Sequence, residues 1–404
     1  MKKLEKSVPV IRFKGFSEAW EQRKVSDYAI NTYGGGTPKT NVPEYWSGEI
    51  PWIQSSDLLI SNLFNVIPKK YITELAVKSS ATKFIPANSI AIVSRVGVGK
   101  LVFMPFEYTT SQDFLSLSNL QVDSNFGVYS IYMMLQKELK NIQGTSIKGI
   151  TKTDLLEKNI NKPSSREEQQ KIGAFFKQLD NTITLHQRKL DALKLMKKGF
   201  LQQMFPKRGE NIPKIRFDDF DDIWEQRILG EFLKESKIKG SNGSLAKKLT
   251  VKLWRKGVVP KEEIYTGSSA TQYYIRKTGQ FMYGKLDFLN QAFGIVPLEL
   301  DGYESTLDSP AFDIEESINE TFLLEYVSLV RFYKYQGNIA NGSRRAKRIH
   351  TDTFFEMPIP LPNSNEQQKI GTFSQQIDDL IAFQQNKLEK LSSLKKSYLQ
   401  NMFI

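Results

Sequence analysis

Several cations stand where an anion could reach them. Arg95 and Lys100 flank Val96-Gly97-Val98-Gly99, directly after the apolar run Ile90-Ala91-Ile92-Val93. That run reads as a short buried strand and the glycines as a hairpin leading into Leu101-Val102-Phe103. Backbone N–H groups plus two cations in a glycine loop suit a phosphate or a base edge. A plain β-turn with solvated charges has the same composition. Thr32–Lys39 also reads as a loop, because three successive glycines hold neither a helix nor a packed strand well. Gly35, Thr37 and Lys39 are its candidate nucleic-acid contacts, and Lys148 in Gly144–Gly149 is another. In Val251–Gly257, basic Lys252, Arg255 and Lys256 alternate with Trp254, as stacking plus phosphate contact would require. Arg344, Arg345, Lys347 and Arg348 place four cations in five residues. Their mutual repulsion favours a nearby anion; an exposed, solvated patch is the alternative.

Catalytic chemistry finds little material in this chain. There is no cysteine, so disulfides, thiolate metal sites and cysteine nucleophiles are excluded. The two histidines, His186 and His350, lie far apart in sequence, which argues against a histidine-built metal site or a Ser-His-Asp triad. Gly99-Lys100 lacks the earlier glycine of a phosphate-binding P-loop, and Leu101 replaces its Ser or Thr. No Asn/Asp-Pro-Pro-Tyr/Phe methyltransferase motif occurs. Glu138-Leu139-Lys140 with Asp123 upstream has the form of a nuclease core, a pattern common by chance. The net charge of +12 over 404 residues and a pI near 9.4 favour a polyanionic partner. No apolar run reaches membrane-spanning length, and no apolar segment follows the lysines of Met1–Phe13, so the expected location is the cytoplasm.

The elements that must position these loops are written twice. Pro9–Tyr28 (PVIRFKGFSEAWEQRKVSDY) recurs at Pro213–Phe232 (PKIRFDDFDDIWEQRILGEF). Glu168–Phe205 recurs at Glu366–Phe403, with 20 of 38 positions identical, which is duplication rather than chance. The stretches between, about 29–160 and 233–360, do not align. Each half is thus a variable globular part followed by a shared helical part. The expected fold class is mixed α/β (α+β): two globular domains separated by two long helices in an antiparallel coiled coil, with a pseudo-twofold repeat. The expected boundaries are 1–163, 164–206, 207–362 and 363–404.

The first helix has a proline stop and a serine cap in Pro163-Ser164-Ser165, and Glu168 stands at the capping-box distance from Ser165. Ile172, Phe176, Leu179, Ile183, Leu190 and Leu193 recur at alternating spacings of four and three, a coiled-coil seam. At 1.5 Å per residue the helix spans roughly 57 Å. The second seam is Ile370, Ile377, Ile381, Leu388 and Leu391. His186 and Gln384 are polar positions at equivalent places in the two seams. Antiparallel packing about a pseudo-twofold axis would let them meet and set the register; snorkelling to solvent is the alternative.

The order of variable domain, EQQKIG helix, PxIRFxxFxxxWEQR segment, variable domain and EQQKIG helix resembles the specificity subunit of type I restriction-modification systems. TPKTNVPEYWSGEIPWIQSSDL (37–58), SRVGVGKLVF (94–103) and TTSQDFLSL (109–117) are similar to that family's target-recognition domains, and GNIANGSRRAKRIHTDTFFEMPIPLP (337–362) is similar to another of its domain types. The resemblance implies that each domain reads one half of a bipartite duplex DNA target, with the helices holding the halves apart. It implies docking of two modification subunits that bind S-adenosylmethionine and methylate adenine, and of restriction subunits that use ATP and Mg. No cofactor would be bound by this chain itself. A solitary DNA-binding protein, a coiled-coil spacer with protein- or glycan-binding ends, and a nuclease using Glu138 and Lys140 are the rival readings.

Overall fold

The computed structural model describes residues 8–141, 149–262, 268–339 and 348–404. Lys148, Arg344, Arg345 and Lys347 lie outside the described residues. The chain divides into two compact units, Met1–Gln187 with Lys387–Ile404, and Arg188–Asn386. Each unit therefore takes in half of each long helix, rather than stopping where the chain turns helical.

Unit 1 contains β1 (Glu21–Lys24), β2 (Ala29–Gly34), β3 (Ile50–Ile53), β4 (Lys70–Ile72), β5 (Ser89–Val93), β6 (Leu101–Met104), β7 (Thr109–Thr110), β8 (Phe114–Leu120) and β9 (Asn159–Lys162). Its helices are α1 (Glu74–Lys78), α2 (Ser124–Asn141), α3 (Lys152–Leu156) and the first half of α4 (Arg166–Met204). An antiparallel four-stranded sheet in the order β2-β8-β5-β6 forms the centre. Strand β5 (SIAIV) is buried throughout and apolar on both faces, as an interior strand covered on two sides must be. Ile90 and Ile92 join the core under α2, while Ala91 and Val93 join a second core with Ile53 and Tyr108. The expected loop over Thr32–Lys39 begins later than its glycines suggested. Thr32, Tyr33 and Gly34 pair with Leu117, Ser116 and Leu115, so β2 runs to Gly34, and cross-strand hydrogen bonding outweighs local glycine preference.

Unit 2 contains β10 (Glu225–Ile228), β11 (Leu233–Ser236), β12 (Lys239–Asn242), β13 (Leu249–Val251), β14 (Val258–Pro260), β15 (Gln272–Ile275), β16 (Phe281–Tyr283), β17 (Phe293–Ile295), β18 (Glu304–Ser305), β19 (Ala311–Ile314) and β20 (Pro358–Leu361). Its helices are α5 (Glu320–Val327), α6 (Val330–Ile339), α7 (Thr351–Phe355) and part of α8 (Ser364–Met402). Its central sheet, β11-β19-β16-β17, is antiparallel and follows the same plan as that of unit 1. Strand β16 repeats the alternation, with Phe281 and Tyr283 in one core and Met282 in the other.

The two duplicated motifs form one lock in each unit. Glu168 is 1% exposed and accepts both Nε and Nη2 of Arg12, at 2.7 and 2.8 Å, and the indole N–H of Trp20 at 3.4 Å. Glu366 accepts Arg216 at the same two distances and Trp224 at 3.1 Å. Bidentate pairing and the indole N–H offset the cost of burying each carboxylate. Ser165 does cap α4, accepting Glu168 N–H at 3.3 Å, but the carboxylate of Glu168 turns to Arg12 and Trp20 instead of closing a capping box. Asn363 caps α8 in the same way, accepting Glu366 N–H at 3.0 Å. The adjoining Gln169 and Gln367 accept the backbone N–H of Asp123 and Asn319, tying each long helix to the start of α2 or α5.

Within each unit the two helix segments run antiparallel. In unit 1 Phe175 meets Tyr398 edge-on and Lys395 pairs with Asp180. In unit 2 Phe200 meets Phe373, and Lys197 pairs with Asp378 at 2.5 Å. The predicted seam is the covered side: Ile172, Phe176, Leu190, Leu193, Ile370, Ile377, Gln384 and Leu388 are buried, and Leu179, Ile183, His186, Ile381 and Leu391 are half-buried. Among the described residues no helix is long and apolar enough to cross a membrane.

Candidate nucleic-acid interface

Each central sheet ends, at equivalent places, in a group of three cations; in unit 2 one of them, Lys237, is paired with Glu235 at 2.8 Å. In unit 1 the chain leaves β5 at Ser94, whose N–H donates to Asp113 O at 2.8 Å and whose carbonyl accepts Ile150 N–H at 2.7 Å. In unit 2 Lys285 holds the matching place after β16: its N–H donates to Asp308 O at 2.9 Å and its carbonyl accepts Ile349 N–H at 3.0 Å. The shared hydrogen-bond frame brings different side chains to the same corner of the fold.

In unit 1 that corner holds Arg95, Lys83 and Lys152. Burial pushes the Lys152 ammonium below its ordinary range, Arg95 and Lys83 push it further, and only Asp113 opposes them. Its Nζ lies 2.6 Å from where a Cβ of Gly34 would stand, so the glycine leaves the space that the ammonium fills. Arg95 and Lys83 are exposed. Gly35 presses its backbone onto Thr110 and Ser111: a Cβ there would stand 2.0 Å from Ser111 O. Gly35 therefore serves close packing of the loop. Thr37 is exposed and its hydroxyl donates to Gln112 Oε1, and Lys39 is exposed nearby. Lys100, predicted beside Arg95 as an anion contact, instead donates its ammonium to Ser55 O at 3.0 Å. It braces the hairpin, whose Gly97 and Gly99 take φ of +92° and +97° as the turn requires.

A second feature of unit 1 lies outside the glycine loops. Trp46 and Trp52 meet at 90° with centroids 5.0 Å apart, and the Lys70 ammonium lies 5.3 Å from the Trp46 ring. Trp46 and Lys70 line an open cleft with Lys69 and Tyr71, while Trp52 is buried behind Trp46. Aromatic faces beside cations suit a nucleic acid.

In unit 2 the corner holds Lys285, Arg348 and Lys237. Burial lowers the Lys285 ammonium, Glu235 and Asp308 oppose that, and Arg348 and Lys237 reinforce it. Arg348, the one member of the predicted Arg344–Arg348 cluster within the described residues, is 3.3 Å from Asp308. Lys252 and Lys256 are exposed as expected. Arg255 is not: its guanidinium turns inward onto Glu325, 1% exposed, in a bidentate pair. A buried carboxylate is a stronger partner than a solvated phosphate, and the assignment of Arg255 as an anion contact is corrected accordingly.

Lys83, Lys152, Lys237 and Lys285 carried no local signal. None stands in a glycine loop, and only folding brings Lys83 near Lys152 within unit 1 and Lys237 near Lys285 within unit 2. The nuclease-like residues are engaged elsewhere: Glu138 pairs with Lys158, and Asp123 accepts Phe126 N–H at the start of α2.

The comparisons with known proteins follow the same lines. The family model described as the type I restriction modification DNA specificity domain matches residues 17–195 and 311–393. The chain is 32% identical over 230 residues to the type I restriction enzyme MjaIX specificity subunit of Methanocaldococcus jannaschii, covering 53% of this chain and 52% of that one. It is 35% identical over 170 residues to the EcoR124I/EcoR124II specificity subunit of Escherichia coli, covering 38% and 40%. The chain thus spans about half the length, or less, of these two relatives. In fold it is similar to a type I restriction-modification S subunit from M. genitalium, with a TM-score of 0.62, 14% identity and coverage of 98% and 99%. It is also similar to a chain solved in work on complex assembly and conformational transition of the type I restriction-modification system, with a TM-score of 0.58, 16% identity and coverage of 94% and 96%. With the family model matching well over half of the chain, including most of both long helices with Glu168 and Glu366, the chain belongs to the type I restriction modification DNA specificity family.

Proposed function

We propose that this chain is the DNA-reading subunit of a type I restriction-modification enzyme, with each unit reading one half of a bipartite duplex target. The observation that carries this is the pair of cation groups, Arg95/Lys83/Lys152 and Lys285/Arg348/Lys237, at matching corners of one sheet plan. One frame with two unlike sets of side chains is what a subunit needs to read two unlike half-sites. Clustered cations gain on meeting phosphate, and the loops beside them carry the groups that would reach base edges. The duplicated helices α4 and α8 set the separation of the half-sites and dock two modification subunits. Methylation, and any ATP- and Mg-dependent cleavage, resides in those partners and in restriction subunits, in the cytoplasm. S-adenosylmethionine is held by the modification subunits.

The test is a single-molecule methylation map of cellular DNA, with and without this chain, in cells holding its modification partner. Methyladenine in a two-part motif with a fixed gap, present only with the chain, is the expected outcome. A map that does not change with the chain overturns the reading and leaves a solitary DNA-binding protein or a protein-binding spacer.

A further inference from the structure

In unit 2, the segment between β13 and β14 holds two large apolar side chains in water on a strained backbone. Leu253 is 38% exposed and Trp254 is 56% exposed. Trp254 and Arg255 both take the left-handed conformation, with φ of +59° and +57°, which residues bearing a Cβ seldom adopt. Two such residues in succession persist only where the surroundings over-determine them.

Those surroundings are explicit. The N–H of Trp254 donates to Asn290 O at 2.7 Å, that of Arg255 to Gln291 O at 2.9 Å, and that of Lys252 to Gly257 O at 2.9 Å. The Arg255 guanidinium grips Glu325, which also meets Lys197 of α4 at 2.9 Å and the Ser374 hydroxyl of α8. The tip is thereby fixed to the β16–β17 hairpin, to α5 and to both long helices. The same hairpin carries Lys285 of the cation group, and exposed Lys252 and Lys256 stand on either side of the tip. The matching hairpin of unit 1 presents Val96, 70% exposed, and no aromatic residue.

We propose that the Leu253–Trp254 tip is a wedge that packs its indole against a nucleobase of duplex DNA, and that Arg255 is a positioning residue which holds the wedge outward rather than a DNA contact itself. This rests on the specificity-subunit reading. The flanking lysines select a polyanion, and an indole face matches a base, so nucleic acid satisfies both features at once. A fixed wedge loses little conformational freedom on binding, which is what the ion pair and the three backbone hydrogen bonds achieve.

The probe is a duplex carrying the methylated motif found by the map above, with 2-aminopurine placed one position at a time through both half-sites, bound by the complex with its modification subunits. The wild-type complex should change the fluorescence at one position or at two adjacent ones. Trp254→Ala should abolish that signal and weaken binding about ten- to a hundred-fold, with the slope of log affinity against log salt unchanged. Trp254→Phe should retain most of both. Arg255→Met should lose the signal at the same position, and Arg255→Lys should restore part of it. Because Trp254 is exposed, its alanine variant should keep the wild-type unfolding transition. Wild-type affinity and signal in Trp254→Ala overturn the wedge alone. A wild-type complex that does not bind the duplex overturns the specificity reading and the wedge with it.

Discussion

Glu325 is the carboxylate on which most depends in unit 2. Burial alone would push it up, but the charge and hydrogen bonds of Arg255, the Lys197 ammonium and the Ser374 hydroxyl together hold it below the usual carboxylate range. A carboxyl whose folded value lies below its unfolded value contributes stability that is present above the unfolded value, about 4.3, and is lost as pH falls through the folded one. Glu325→Gln should therefore be less stable than the wild type at pH 7, by about 3 kcal/mol or more, because two cations lose a buried partner. In urea titrations that gap should close as the pH is lowered below about 4; a gap independent of pH would show that the charge of Glu325 is not what stabilises the site. Surface cations are tested differently. Lys152→Ala and Arg95→Ala should each reduce the salt slope of DNA binding by about 0.9, the value for one phosphate contact. Lys100→Ala should leave the slope unchanged, since its ammonium is committed to Ser55 O. Equal slope losses in all three would return Lys100 to the interface.

Glycine positions separate the elements that must touch from those that need not. Gly173 of α4 lies so near the start of α2 that a Cβ would stand 2.7 Å from both Phe126 N and Asp123 Oδ1. Gly371 of α8 repeats this against Asn319, with a Cβ 2.6 Å from its Oδ1. The glycine of each EQQKIG motif therefore permits a helix crossing, while its glutamate closes the lock with arginine and tryptophan and its second residue, glutamine, anchors the neighbouring helix start. Gly199 of α4 has nothing within 4 Å of its Cβ position. Gly173→Ala should destabilise unit 1 by about 1–3 kcal/mol, as forced overpacking does. Gly199→Ala should instead stabilise by up to about 1 kcal/mol, through helix propensity alone. Thermal or urea unfolding of the two variants decides this, and loss of stability in both would mean that α4 is covered at Gly199 in the folded protein.

At the scale of the whole molecule, one frame is used twice with different contents. The β2-β8-β5-β6 and β11-β19-β16-β17 sheets share their order, and the Arg12/Trp20/Glu168 lock matches Arg216/Trp224/Glu366. Exchanging residues 29–160 for the same span of another family member should then alter one half of the methylated motif and leave the other half and the gap unchanged. Alteration of both halves would show that reading is not divided between the units.

The repeats and the long helices were legible in the sequence because they depend on local pattern. Apolar spacing selects a helix face whatever it packs against, and duplicated residues announce a duplicated role. The separate motifs WEQR and EQQKIG were visible too, but not that Trp20 and Arg12 meet Glu168, since partners about 150 positions apart are joined only by folding. The shared sheet plan of the variable regions was hidden for the opposite reason: strand order and hydrogen-bond frame can persist while side chains diverge. Of the cations read from the sequence, Arg95, Lys252 and Lys256 are left exposed, while Arg255 and Lys100 are engaged within the fold. Charge and neighbours in sequence state what a side chain can bind. Only tertiary structure decided whether a buried carboxylate or a carbonyl had already claimed it.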